Sequence, residues 1–98
     1  MRVVWSKVAL ARAADIADRI AEDAPRVAEL WLLNIFAAVE RLQEFPDSGR
    51  VVPEARREEI REVIHRGYRI IYRRDAMDVS ILTIRHSRQL TEPESLSP

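Results

Sequence analysis

Side chains able to do chemistry are few in this chain, and most of them are guanidinium groups. His86 stands in "IRHSRQ" between Arg85 and Arg88. Histidine is the usual general acid or base, so one there could pass a proton while the neighbouring arginines hold a phosphate, as general acid–base cleavage of RNA requires. The plainer reading is a strand-end histidine bonded to backbone. His65, just before an "RG" turn, reads as a solvated turn residue. A second cluster, "RGYRIIYRR", sets Arg66, Arg69, Arg73 and Arg74 around a short apolar run. With Arg61, Arg85 and Arg88 they make seven arginines in residues 60–90 against Glu62, Asp75 and Asp78, a local charge of +4 in a chain of zero formal net charge. Gly49 and Gly67 are the only glycines, so no loop is rich enough to cradle a phosphate, and serine-nucleophile motifs and metal-ligand spacings are missing. Cysteine is absent and two histidines do not make a zinc centre unaided, so no catalytic residue, metal or other cofactor is expected.

The scaffold for these residues is a single small domain. A length of 98 residues with 47% hydrophobic and 33% charged side chains suits one core, expected over residues 1–90, with "TEPESLSP", 91–98, as a flexible tail. A neutral molecule is not the generic polycation that coats nucleic acid, although local patches remain open. Of sixteen basic residues only Lys7 is a lysine, which reflects either genome base composition or a need for planar, bidentate donors. The N-terminus has no signal-peptide pattern and no apolar run approaches a membrane span, so a cytoplasmic protein that does not engage a membrane is expected.

Along the chain, "RVVW" reads as a strand over residues 2–5, ended by Ser6 as a helix N-cap. In "KVALARAADIADRIAED" the apolar face is Leu10, Ala13, Ala14, Ala17, Ile20 and Ala21, an amphipathic helix with a small-residue side. Pro25 restarts a helix with Asp23 as its expected cap, giving an antiparallel helical hairpin with a very short link. The second helix is expected to run from Pro25 to about Phe45, with Val27, Trp31, Ile35, Ala38, Val39, Leu42 and Phe45 facing the core. Its other side carries Leu30, Leu33 and Ala37 at i, i+3 and i+7, which is either scattered exposed leucine or a partner-binding strip.

After a polar segment, "VVPEARREE", the runs "IREVIH", "YRIIYRR" and "MDVSILTIR" are joined by "RG" and "DA", short enough for an antiparallel meander. In the last run Val79, Ile81 and Thr83 alternate with Ser80, Leu82 and Ile84, apolar on both sides as a central strand should be. In the middle run Tyr68, Ile70 and Tyr72 share one face, and Arg69, Ile71 and Arg73 the other. With the helices on the tyrosine side, Arg69 and Arg73 would stand on an open basic face. That face suits an acidic, partly helical partner or a nucleic-acid complex, or else is a solvated surface balanced by Glu58, Glu59 and Glu62. The expected fold is α+β: an N-terminal strand and an antiparallel helical hairpin packed on a small, mostly antiparallel sheet.

The order strand, helical hairpin, "LQEFPDSGR", then "IREVIHRGYRIIYR" and "VSILTIRHSRQ" resembles the ParE branch of the ParE/RelE toxin superfamily over residues 2 to about 90. The resemblance implies the RelE/ParE-like fold and a toxin neutralised by a co-encoded, ParD-like antitoxin with an acidic C-terminal segment, in a hetero-oligomer. ParE-like toxins poison DNA gyrase, and RelE-like relatives cleave mRNA in the ribosome. RelE-like nucleases use an arginine in the "GYR" strand, one after the last strand, lysines on the preceding strand and a C-terminal tyrosine. Arg69 and Arg88 match the two arginines, whereas "IREVIH" has Arg61 and no lysine, and "QLTEPESLSP" has no tyrosine. His86 keeps the nuclease alternative open, since other nucleases of the superfamily use a C-terminal histidine. The expectation is a non-enzymatic gyrase inhibitor that meets its antitoxin through Leu30, Leu33, Ala37, Arg69 and Arg73, and its target through Arg85, His86 and Arg88.

Overall fold

The computed structural model describes residues 1–87, so Arg88 and the tail expected over 91–98 lie outside the described residues. Strand β1 (Arg2–Trp5) runs into Ser6, whose hydroxyl accepts the amide hydrogen of Ala9 at 3.0 Å and so caps helix α1 (Lys7–Asp23). The same hydroxyl donates to the carbonyl oxygen of Leu82 at 3.0 Å. Ala24 alone separates α1 from helix α2 (Pro25–Glu40), whose first residue is the proline, at the position where a missing N–H costs nothing. Asp23 is not the cap expected of it: it is the last residue of α1, and no side chain caps α2. Nor does α2 reach Phe45. It tightens after Glu40 into a 3-10 turn, Arg41–Gln43, which keeps Leu42 buried and leaves Phe45 exposed.

Four further strands follow: β2 (Arg50–Val51), β3 (Ile60–His65), β4 (Tyr68–Arg74) and β5 (Asp78–His86). The sheet order is β1-β5-β4-β3-β2, with β1 parallel to β5 and every other pair antiparallel. The meander expected from the sequence is present, and the short edge strand β2 lies at the boundary of the segment read as polar. Between β3 and β4, Arg66 and Gly67 both take left-handed backbone, φ 47° and 84°, as the tightest hairpin turns require.

One irregularity decides which side chains share a face. Ile71 pairs with Thr83 and Tyr72 with Ile81, so Leu82 is an extra residue in β5, a bulge. Strict alternation would separate Ile84 from Ile81; the bulge returns Ile84 to the face of Val79 and Ile81. On that face they meet Ile70 and Tyr72 of β4, Ala9, Ala13 and Ala17 of α1, and Trp31, Ile35 and Val39 of α2. The alanine ridge at i, i+4 and i+8 lets the hairpin pack closely. Most of both stripes read in the sequence is core, Ala13 and Ala17 on α1 and Trp31, Ile35, Val39 and Leu42 along α2 and its 3-10 turn, but Ala9 is buried where Leu10 and Ala14 are exposed, and Ala28 is buried where Val27 is exposed. The opposite face of the sheet is not open. Val52, Ile60, Ile71 and Leu82 form a second cluster there with Ala55, so the segment after β2 folds over the sheet as a cover.

Candidate functional site

Beneath that cover lies an ion-pair network. Ile60, Glu62 and Ile64 of β3 face the cover, and the carboxylate of Glu62, 1% exposed, would be untenable there without cations. Arg69 reaches it from β4 through Nε at 2.5 Å, and Arg50 from β2 at 2.6 Å. The rest of the Arg69 guanidinium grips both oxygens of Glu54, on the covering segment, at 2.7 and 2.9 Å. Arg69 is 5% exposed, and its pKa is raised by the Glu54 hydrogen bonds, with Glu62 adding to them against the opposing effect of burial. Arg73, further along the same face, is held by Asp75 at 3.0 Å. Arg85 stands directly opposite Arg69, with its Nε buried and without a hydrogen-bond acceptor among the described residues.

At the other side of the sheet the "FPDSGR" loop is fixed by Tyr72. Its hydroxyl donates to the carbonyl of Pro46 at 2.8 Å and accepts the amide hydrogen of Gly49 at 3.0 Å. Burial pushes the phenol pKa up. A Cβ on Gly49 would lie 2.6 Å from both the Tyr72 hydroxyl and the Glu62 carbonyl oxygen, so the motif needs glycine for close approach. Arg61 donates to the Gly49 carbonyl at 2.9 Å, and Asp47 binds Arg74 at 2.6 Å.

The helical side presents a different surface. His65, Tyr68 and His86 are cross-strand neighbours on β3, β4 and β5, and Trp31 of α2 meets Tyr68 edge-on, ring centroids 5.3 Å apart. Tyr68 in turn meets His86 edge-on at 5.5 Å. Beside this row, a cleft of about 210 Å³ opens between α1 and the end of the sheet, lined by Arg12, Asp15 and Arg19 among others. On α2, Leu30 and Leu33 are 51% and 65% exposed and Ala37 is exposed too, so the strip read from sequence is surface. Val27 extends it by a turn. Phe36 lies against Trp5, ring centroids 5.1 Å apart.

The candidate contacts therefore separate into three places. Leu30, Leu33 and Ala37 form one exposed helix strip. Arg69 and Arg73 face away from the helices, as alternation requires, but under the cover and paired with carboxylates rather than on an open basic face. Arg85 and His86 fall on opposite faces, one across from Arg69 and the other across from Tyr68, and Arg88 lies outside the described residues. Sequence reading overlooked Glu54 and the α1 arginines. A lone glutamate between two isoleucines on one strand face signalled the buried carboxylate, whereas nothing local placed α1 beside the end of β5.

The family described as "ParE toxin of type II toxin-antitoxin system, parDE" matches residues 3–91. Among solved structures, a chain of the "Chromosomal ParDE TA system from P. aeruginosa" superposes with a TM-score of 0.74 at 22% identity, covering 88% of this chain and 95% of that one. At that identity the likeness speaks for the fold. No curated protein matches. Among the described residues no helix is long and apolar enough to cross a membrane.

Proposed function

We propose that this chain, which belongs to the ParE toxin family of type II toxin–antitoxin systems, inhibits DNA gyrase in the cytoplasm by binding rather than by catalysis, and is neutralised by a co-encoded antitoxin. The observation that carries the choice of binding over RNA cleavage is the state of Arg69. A nuclease of the RelE kind uses the arginine of the "GYR" strand; here Arg69 is buried and holds Glu54 and Glu62 instead. Freeing it would leave a buried carboxylate without its partner. His86 and Arg85, the remaining acid–base and phosphate-binding candidates, point to opposite faces of the sheet. An inhibitor needs only a surface that favours one state of its target. The exposed strip of α2 suits the apolar face of an antitoxin segment, a helix-in-groove or helix-on-helix contact.

Purified toxin added to a gyrase supercoiling reaction and to programmed ribosomes tests the reading. Loss of supercoiling with accumulation of cleaved DNA, and intact mRNA, is the expected result. Cleavage of mRNA in the ribosome, abolished by His86→Ala, would overturn it.

A further inference from the structure

The cleft between α1 and the end of the sheet combines features that nothing above has used. Arg12 and Arg19 lie two helical turns apart on α1, about 10.5 Å along its axis, both exposed on the rim. Asp15 sits between them, at spacings that allow a helix-surface ion pair with either. No such pair forms among the described residues, whereas Arg2, Arg50, Arg57, Arg61, Arg69, Arg73 and Arg74 all lie within ion-pair distance of a carboxylate. The cleft thus keeps two guanidinium groups uncommitted although a carboxylate stands between them. Its wall is aromatic and apolar: Ile16 from α1, with Tyr68 and the exposed ring of His86 from the sheet.

We propose that this cleft binds one nucleotide of single-stranded DNA, with Arg12 and Arg19 on the phosphates that flank it and the base against His86 and Tyr68. Guanidinium forks suit phosphate oxygens, and stacking on an aromatic wall accepts any base. Asp15 favours this ligand over a purely acidic peptide: a carboxylate in the cleft repels other carboxylates but accepts hydrogen bonds from base amino groups. The volume, about 210 Å³, holds one nucleotide's base and not a duplex, whose bases are stacked and paired. The inference rests on the gyrase reading in one respect, the choice of DNA over RNA.

The test uses the full chain and a labelled, mixed-sequence single-stranded DNA oligonucleotide, with fluorescence anisotropy measured across a salt series. Binding should weaken at least tenfold in the Arg12→Ala/Arg19→Ala double variant, whose exposed positions leave the fold intact by thermal melting. The slope of log affinity against log salt should also fall by about 1.4, the loss of two single-strand phosphate contacts. His86→Ala should weaken binding several-fold with the slope unchanged. An unaltered affinity and slope in the double variant would overturn the proposal. So would preference for the matching duplex or RNA, or binding of a polyglutamate peptide in place of DNA. The same variants in the supercoiling assay keep the two readings apart. Gyrase inhibited without oligonucleotide binding removes this inference alone, and oligonucleotide binding without gyrase inhibition removes the target alone.

Discussion

On the face beneath the 52–59 segment, Arg69 spends its donors on Glu54 and Glu62, Arg50 shares Glu62, and Arg73 is held by Asp75, so a region dense in arginine presents little free charge. On the helical side, Arg12 and Arg19 face a cleft with no ion-pair partner among the described residues, and α2 leaves Val27, Leu30 and Leu33 in water. The first face uses its charges as structure: removing Arg69 or Glu62 strands the other in a low-dielectric site. The second keeps charge and apolar area available to something else. Local arginine density is therefore a poor guide to where a protein binds, because the density says nothing of the carboxylates folded onto it.

The largest expected effect tests the buried half of that contrast. Arg69→Ala leaves Glu62 with Arg50 alone and should cost about 3–5 kcal/mol of stability. In a domain of this size that lowers the melting temperature by more than about 10 °C. Calorimetry that found Arg69→Ala as harmless as the α1 double variant would erase the distinction between the faces. Gly49→Ala comes next: its methyl meets the Tyr72 hydroxyl and the Glu62 carbonyl at 2.6 Å, and the overlap should cost about 1–3 kcal/mol in urea unfolding.

Tyr72→Phe carries the test through pH to the buried helical side of the sheet. It removes one acceptor and one donor, stranding the Gly49 amide and the Pro46 carbonyl, for about 1–3 kcal/mol. The folded phenol titrates above its ordinary 10.0, so its contribution is fully present below pH 10 and is lost as pH rises through the folded value, where the unfolded chain ionises first. Denaturant curves taken on either side of pH 10 should show this decline in the native chain and a flatter profile in Tyr72→Phe. The smallest effect on the fold belongs to the helical side. Leu30→Glu with Leu33→Glu should change stability by no more than about 0.5 kcal/mol, because both sites are already exposed. Affinity for the antitoxin, read by titration calorimetry, should fall at least tenfold. A collapse of the fold would mean that this strip is core, and an unchanged affinity would move the partner to another surface.

Local pattern made most of the architecture readable before any coordinates. Ser6 as a cap, Pro25 as a helix start and the "RG" hairpin each follow from one or two residues whose backbone preferences are strong. The helix faces were legible except at their first turns, where Ala9 and Ala28 are buried in place of Leu10 and Val27, since alanine carries a weak hydrophobic signal beside a larger neighbour. Arg85 and His86 are neighbours in β5, so alternation alone sends them to opposite faces. Which face each takes is set by a single inserted residue, Leu82, and the insertion shows only against a partner strand. The cover over Arg69 was hidden because "VVPEARREE" looks polar by count, although Val52 is fully buried. The α1 cleft depends on helix placement, which periodicity does not contain.

The parallel pairing of β1 with β5 also governs when this molecule can exist during its own synthesis. β1 is made first, yet among the described residues its one neighbour in the sheet is residues 78–81, and the Ser6 hydroxyl finds its acceptor at Leu82. Until β5 has left the ribosome and slid between β1 and β4, α1 has little sheet to lie on. Completion of the sheet therefore waits for β5, and closing so distant a pairing makes that step comparatively slow. Before β5 is made, the growing chain lacks the central strand that joins β1 to the rest of the sheet. A partner already present can therefore meet the protein as it first takes shape.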